Sequence, residues 1–214
     1  MFHVKHSDQG FARRNIFGDR LPLAERYADW LTGAGIDRGL LGPREADRIW
    51  ERHLINCAAL QPLLPATGVV CDVGSGAGLP GLVLAIQCPD HQFVLLEPLL
   101  RRATFLTEVA ADLGLDNVTV VRDRAEDHRP PTGGYPAVVA RAVAPLVKLI
   151  PWTLPLVAPE SALLAMKGGG ASAEVAAAQS QLGEKWTSQI AEWQVVSAGE
   201  SDNVSTVVRI VRGP

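Results

Sequence analysis

Long apolar runs are missing from this chain. No stretch approaches the roughly 20 residues that a membrane-spanning helix needs, so no membrane partner is expected. The opening segment, residues 1–10, has none of the apolar character of a secretory signal, and a cytoplasmic protein is expected. Cysteine is scarce. Cys57, Cys71 and Cys88 are too few and too widely spaced for a disulfide framework or a zinc site. They read as small buried apolar residues, and no metal is expected. His3 and His6 sit in a terminal segment that reads as a tail. Charge is also modest: 20% of residues are charged and the net charge is −3, which by itself neither requires nor excludes an RNA partner. The basic residues are unevenly spread. Between 131 and 170 stand Arg141, Lys148 and Lys167 against Glu160 alone.

Against those absences, 47% of the 214 residues are hydrophobic, enough for a folded α/β core. Residues 1–65 read as a helical extension, and 66–214 as one compact domain. Leu23, Tyr27, Trp30 and Leu31 fall on one helix face, which Gly33 and Gly35 are expected to end. A second helix starts at Pro43, with Ala46, Ile49, Trp50, His53, Leu54 and Cys57 as its apolar stripe.

Beyond Pro65 the pattern becomes strand–helix alternation. Strands are expected at 69–73, 93–97, 117–121, 137–141, 162–166, 193–196 and 205–211. Helices are expected at 80–87, 100–113, 144–157 and 171–184. Wholly apolar strands alternating with helices imply a doubly wound, mostly parallel sheet covered on both faces. The last two strands, with no helix between them, should form an antiparallel edge hairpin with 197–203 as its loop.

The strongest local signal is Asp72-Val73-Gly74-Ser75-Gly76-Ala77-Gly78-Leu79-Pro80-Gly81, between the first strand and a helix. Glycines allow a sharp turn and close approach of a ligand, and the helix N-terminus offers N–H groups to an anion. Gly76-x-Gly78-x-x-Gly81 formally matches a dinucleotide loop, so an NAD-dependent oxidoreductase is one reading. Asp72 favours another. An acid there would repel a pyrophosphate but can accept from the amino group of S-adenosyl-L-methionine. Glu97 ends the second strand, where either cofactor class wants an acid on the ribose hydroxyls. Asp72, Gly74, Gly76, Gly78 and Glu97 are therefore the expected cofactor contacts of a Rossmann-like class I methyltransferase.

The acceptor is narrowed by what else is lacking. Strand four ends in Ala140-Arg141-Ala142-Val143, without the Asn/Asp-Pro-Pro-Tyr type of clamp that an exocyclic amine wants. Neither Cys71 nor Cys88 is placed as an attacking thiolate. Guanine N7 has a free lone pair and loses no proton, so it needs alignment and no general base. Arg141 lies at the carboxyl end of strand four, where ligands gather. It reads as a contact to phosphate, to guanine O6 or to the cofactor, or as a surface ion pair. Lys167 before Gly168-Gly169-Gly170 reads as a phosphate contact on a lid or as an ordinary turn. A third reading is a non-catalytic RNA-binding module, carried by the helical extension and the basic edge.

Taken together, these residues resemble the RsmG (glucose-inhibited division protein B) family of 16S ribosomal RNA guanine-N7 methyltransferases. The likeness runs through Trp50-Glu51-Arg52-His53-Leu54-Ile55-Asn56 and the Leu79-Pro80-Gly81 loop ending. It continues through Glu97, Arg101-Arg102-Ala103-Thr104-Phe105-Leu106, Arg124-Ala125-Glu126, Arg141-Ala142 and Lys167-Gly168. The resemblance implies cofactor contacts at Gly74, Leu79, Ala125, Glu126 and Arg141. It implies an RNA-facing side at Arg52, His53, Arg141 and Lys167, with Arg141, Lys167 and His53 nearest the chemistry. Spacing alone also allows His53 to be a packing residue and Arg52 a solvated one. The implied partner is 16S rRNA or the 30S subunit, met by a monomer.

Overall fold

The computed structural model describes residues 4–199 and 204–214. Strands Val69–Val73 (β1), Gln92–Leu96 (β2), Val118–Val121 (β3), Tyr135–Arg141 (β4), Val157–Lys167 (β5), Ile190–Ala198 (β6) and Ser205–Arg212 (β7) build one sheet. Its order is β3-β2-β1-β4-β5-β7-β6. The first five strands pair in parallel, and β7 runs antiparallel between β5 and β6. The strand order reverses between β1 and β4, which opens a crevice at their carboxyl ends.

Among the described residues, eight α-helical segments accompany the sheet: α1 (Val4–Phe17), α2 (Leu21–Trp30), α3 (Asn56–Ala58), α4 (Gly81–Gln87), α5 (Leu100–Leu113), α6 (Leu146–Thr153), α7 (Ala171–Gln181) and α8 (Glu184–Thr187). Successive strand residues point to opposite faces, and the core divides accordingly. Val70, Phe93, Leu95, Val139 and Leu164 pack under α2, α4, α5 and the 49–60 helix. Cys71, Leu96, Val138, Leu163 and Ile210 pack under α6 and α7. The doubly wound sheet with an antiparallel edge hairpin is thus present. The N-terminal helices share a core with one of its faces. No helix among the described residues is long and apolar enough to cross a membrane.

Several local expectations need correction. Gly33 and Gly35 do not end the first long helix: it widens into a π turn at Leu31–Gly35, and the chain breaks only at Gly39, whose φ is +64°. The second helix opens at Pro43 as a 3-10 turn and continues as a π-helical stretch over Ile49–Ile55 before α3. The helix expected to reach residue 157 stops at Thr153, because Leu154–Leu156 forms a 3-10 turn into a longer β5. His6 lies in α1 and not in a tail, whereas His3 and residues 200–203 of the hairpin loop are outside the described residues. β4 begins two residues early and carries Pro136 at a register irregularity between Tyr135 and Ala137, where a missing N–H costs no ladder bond.

Candidate active site

β1 delivers Asp72 to the crevice as a wholly buried carboxyl, paired in register with Leu95 and Val139. Its Oδ2 accepts the Gly81 N–H at 3.0 Å, while Oδ1 is buried without a partner. Burial pushes the Asp72 pKa up to about 7. The nearby Ser75 hydroxyl, which donates to the Asp72 backbone carbonyl at 2.9 Å, and the Gly81 N–H oppose the rise, and Glu97 adds to it. Glu97, at the end of β2, is 2% exposed. Its Oε2 accepts from Gly76 N–H at 2.9 Å and its Oε1 from Leu99 N–H at 3.0 Å. The carboxylate thus latches the glycine loop to the β2 end, and each oxygen keeps a second lone pair. The nearest cation, Arg102, is 3.9 Å away and 40% exposed, so it is well screened.

The loop between these acids turns through left-handed residues at Gly74, Gly76 and Gly78, with φ of +69°, +59° and +98°. A side chain at Gly74 would strike Val143, one at Gly78 would strike Leu82 and the Tyr27 hydroxyl, and one at Gly81 would strike Leu95 and Asp72. Those three glycines answer to the protein's own packing. Gly76 alone has open space where its Cβ would be, with Gly74 O the nearest atom at 3.7 Å. The N–H groups that open α4 are also taken: Gly81 by Asp72, and Leu82 by Gly78 O at 2.8 Å. The first two donors of the anion-seeking helix terminus expected from the sequence are therefore engaged within the protein.

Tyr27 completes the loop's support. Its hydroxyl donates to Ala77 O at 2.8 Å, and burial pushes its pKa well up, so it stays a neutral donor. Sequence reading placed Tyr27 only on an apolar stripe. The signal was there, because a buried tyrosine hydroxyl needs a partner.

Arg141, at the β4 end, is gripped from the extension. Its Nη1 donates to Cys57 Sγ at 2.9 Å, and its Nη2 donates to Arg52 O at 3.1 Å and lies 2.9 Å from His53 Nδ1. His53, 6% exposed, places Nε2 2.7 Å from Glu45 Oε2. Burial, above all, lowers the His53 pKa. Arg141 and Arg52 also lower it, and Glu45 opposes them. Arg52 itself is largely exposed and pairs with Glu45 at 3.2 Å. The structure thus brings Arg52, His53 and Arg141 together, joined by a residue that the sequence reading had not singled out, Glu45.

Lys167 stands apart from that group. Its Nζ donates to Ala144 O at 2.8 Å and to Glu174 Oε1 at 2.7 Å. The same Glu174 oxygen accepts the Leu146 N–H at 2.7 Å. The lysine therefore pins the turn 142–145, in which Ala142 is held at φ +54° beside Arg141. A shallow pocket of about 480 Å³ opens there, lined by Ala142–Pro145, Lys167 and Glu174. Replacing Glu174 by Ala should cost about 1–2 kcal/mol, because Leu146 N–H and Lys167 each lose a partner in a partly exposed setting. Thermal unfolding should show a midpoint a few degrees lower, and an unchanged midpoint would contradict the clamp. Ala125 is buried against Val73 and Leu96 in the turn after β3, and Glu126 beside it is exposed. Leu79 is 9% exposed.

The donor set suits one class of ligand. Two buried acids side by side, one with an orphaned oxygen and neither with a buried cation, fit a cationic molecule rich in N–H and O–H groups, as S-adenosyl-L-methionine is. A pyrophosphate would face the Asp72 carboxyl and a helix terminus whose first two N–H groups are already taken.

Known proteins agree with that chemistry. A protein from Streptomyces avermitilis called ribosomal RNA small subunit methyltransferase G is 51% identical, over 94% of this chain and 84% of its own length. Its namesakes from Thermobifida fusca and Mycobacterium marinum are 50% and 59% identical, over 97% and 75% of this chain and 86% and 71% of their own lengths. Among solved structures, an S-adenosylmethionine-dependent methyltransferase, so named as putative, from Methanococcus maripaludis superposes with a TM-score of 0.55 at 13% identity. It covers 84% of this chain and 90% of its own. An rRNA methylase from Streptococcus thermophilus gives 0.51 at 15% identity, over 75% and 95%. These structural likenesses bear on fold alone. Matched by the family model over residues 20–204 and about half identical to relatives along nearly its whole length, the chain belongs to the GidB family, rRNA small subunit methyltransferase G.

Proposed function

We infer that this chain transfers a methyl group from S-adenosyl-L-methionine to N7 of a guanine in the 16S rRNA of the small ribosomal subunit. The observation that carries the reading is the unpartnered Asp72 Oδ1 beside buried Glu97 at the glycine loop. Asp72 would accept from the amino group, Glu97 from the ribose hydroxyls, and the turn at Ala125 and Glu126 would border the adenine. Gly74, Gly76, Gly78 and Leu79 shape the loop, with Gly76 facing open space. Bound there, the cofactor supplies a methyl carbon already activated by its sulfonium. Guanine N7 gives up no proton, so the chain's work is alignment and exclusion of water. Arg141, held by His53, Cys57 and Arg52, stands at the β4 edge and is the group most directly placed to meet the acceptor. Arg52, His53 and Lys167 flank it as the RNA-facing side. The extension 1–65 serves as the platform for Arg141, and 66–214 as the cofactor domain. The protein acts as a monomer in the cytoplasm. The buried Asp72 carboxyl at the glycine loop disfavours the NAD-dependent alternative, and the family disfavours a non-catalytic RNA-binding module.

Labelled S-adenosylmethionine with naked 16S rRNA or 30S subunits tests the reading, with nucleoside digestion to locate the label. Label at guanine N7 is the expected result, and label on any other atom would refute the acceptor assignment. Arg141→Ala should cut transfer about 100-fold, on the order expected when an aligning group is lost. Cofactor affinity should change far less.

A further inference from the structure

The chain of contacts behind Arg141 dictates a proton position. A guanidinium has donors only. Since Arg141 Nη2 lies 2.9 Å from His53 Nδ1, that nitrogen must be the acceptor and carry no proton. The ring proton is then on Nε2, which donates to Glu45 Oε2 at 2.7 Å. A second branch starts from the same carboxylate. Glu45 Oε1 accepts from Arg52 Nη1 at 3.2 Å, and the Arg52 carbonyl accepts from Arg141 Nη2 at 3.1 Å. Both groups that hold Nη2 are therefore held by one acid.

We propose that Glu45 is a positioning residue for Arg141: by accepting from His53 Nε2 and from Arg52 it fixes the ring and the carbonyl that hold Nη2, and so sets the direction in which Arg141 faces the acceptor. Glu45 belongs to a 3-10 turn of the extension, remote from the sheet in sequence and without a place in the cofactor site. Without it the Nε2–H is unpaired and the ring is free to turn, which takes Nδ1 away from the guanidinium. Protonating His53 would do the same and add a charge beside Arg141. The groups around the ring are Glu45, Arg52 and Arg141, with Arg48 beside Glu45. Only His53 among them changes charge near neutrality.

This inference rests on the methyltransferase reading for its kinetic readout but not for its spectroscopic one. In the full chain, ring-labelled histidine observed by proton–nitrogen correlation should show His53 as the single Nε2–H tautomer. Glu45→Ala should keep that tautomer, which Arg141 requires, but broaden the Nδ1 and Nε2 signals as the ring loses its anchor and turns from the guanidinium. In methylation assays, Glu45→Gln should lower kcat about tenfold while leaving KM for S-adenosylmethionine unchanged. Wild-type kcat should fall on the acid side as His53 gains its proton, and His53→Asn, which cannot titrate, should lack that limb. His53 ring-nitrogen signals as sharp in Glu45→Ala as in the wild type, or wild-type kcat and acid limb in both Glu45 variants, overturn the proposal. A wild-type protein that methylates no RNA would overturn the proposed function instead, and the ring-nitrogen measurement would still decide the role of Glu45.

Discussion

Asp72→Asn should stabilise the unliganded protein above neutral pH while weakening S-adenosylmethionine binding by about 100-fold, the cost of losing one buried charge partner. The stability effect follows from the raised pKa. The folded protein keeps a proton on Asp72 up to about pH 7, whereas the unfolded chain releases it near 3.8. Its contribution to stability is fully present below 3.8 and declines as pH rises to about 7. Asparagine keeps an oxygen for the Gly81 N–H and has no charge to bury. The stability difference between variant and wild type should therefore widen by about 3 kcal/mol between pH 5 and pH 8, since each pKa unit is worth roughly 1.4 kcal/mol. Melting curves across that range test the first half. Calorimetry tests the second, and in the wild type Kd should rise by up to about tenfold per pH unit below 7, because binding an ammonium there must expel the Asp72 proton. A variant that melts lower at every pH and binds the cofactor normally would refute both halves.

Two alanines in the same loop should part ways as sharply. At Gly81 the added methyl meets the Leu95 side chain and lies 2.5 Å from Asp72 Oδ2. Overpacking of this kind costs about 1–3 kcal/mol or more, and here it also displaces the carboxyl that caps α4. The melting midpoint should fall by roughly 5–10 °C. At Gly76 the methyl meets nothing closer than 3.7 Å. The price is the left-handed backbone, about 1–2 kcal/mol, or a few degrees. Its methyl group, however, projects into the open space beside Glu97, and cofactor affinity should fall at least tenfold by our estimate of a blocked site. Thermal shift with and without S-adenosylmethionine separates the two. If Gly76→Ala binds normally, the ligand does not lie over that part of the loop.

Much of the architecture is legible in the amino-acid sequence. Apolar runs of strand length between amphipathic segments located all seven strands within a few residues, except for the early start of β5. Asp72 and Glu97 could be assigned to strand ends because both follow directly on such runs. The glycine loop was recognisable because left-handed turns leave a strong mark on composition. The helix boundaries were less so. Gly33 and Gly35 looked like stops, yet packing of Tyr27 and Leu31 into the core carries the helix past them.

Short-range rules account for what could be read from the order of residues: periodicity, strand-end acids, and glycines where the backbone must turn left. Partners brought together across the fold obey no such rule. Tyr27 and Ala77 are 50 residues apart, and His53 and Arg141 are 88 apart. Glu45 acquires its role only after the extension docks on the sheet and sets a histidine between a carboxylate and a guanidinium. Likewise, Lys167 was legible as a basic residue at a strand end, but its engagement by Glu174 depends on how α7 packs beside the 142–145 turn. Local geometry is written within a few residues, whereas the direction of a buried polar side chain depends on which distant donor or acceptor the packed core leaves within reach.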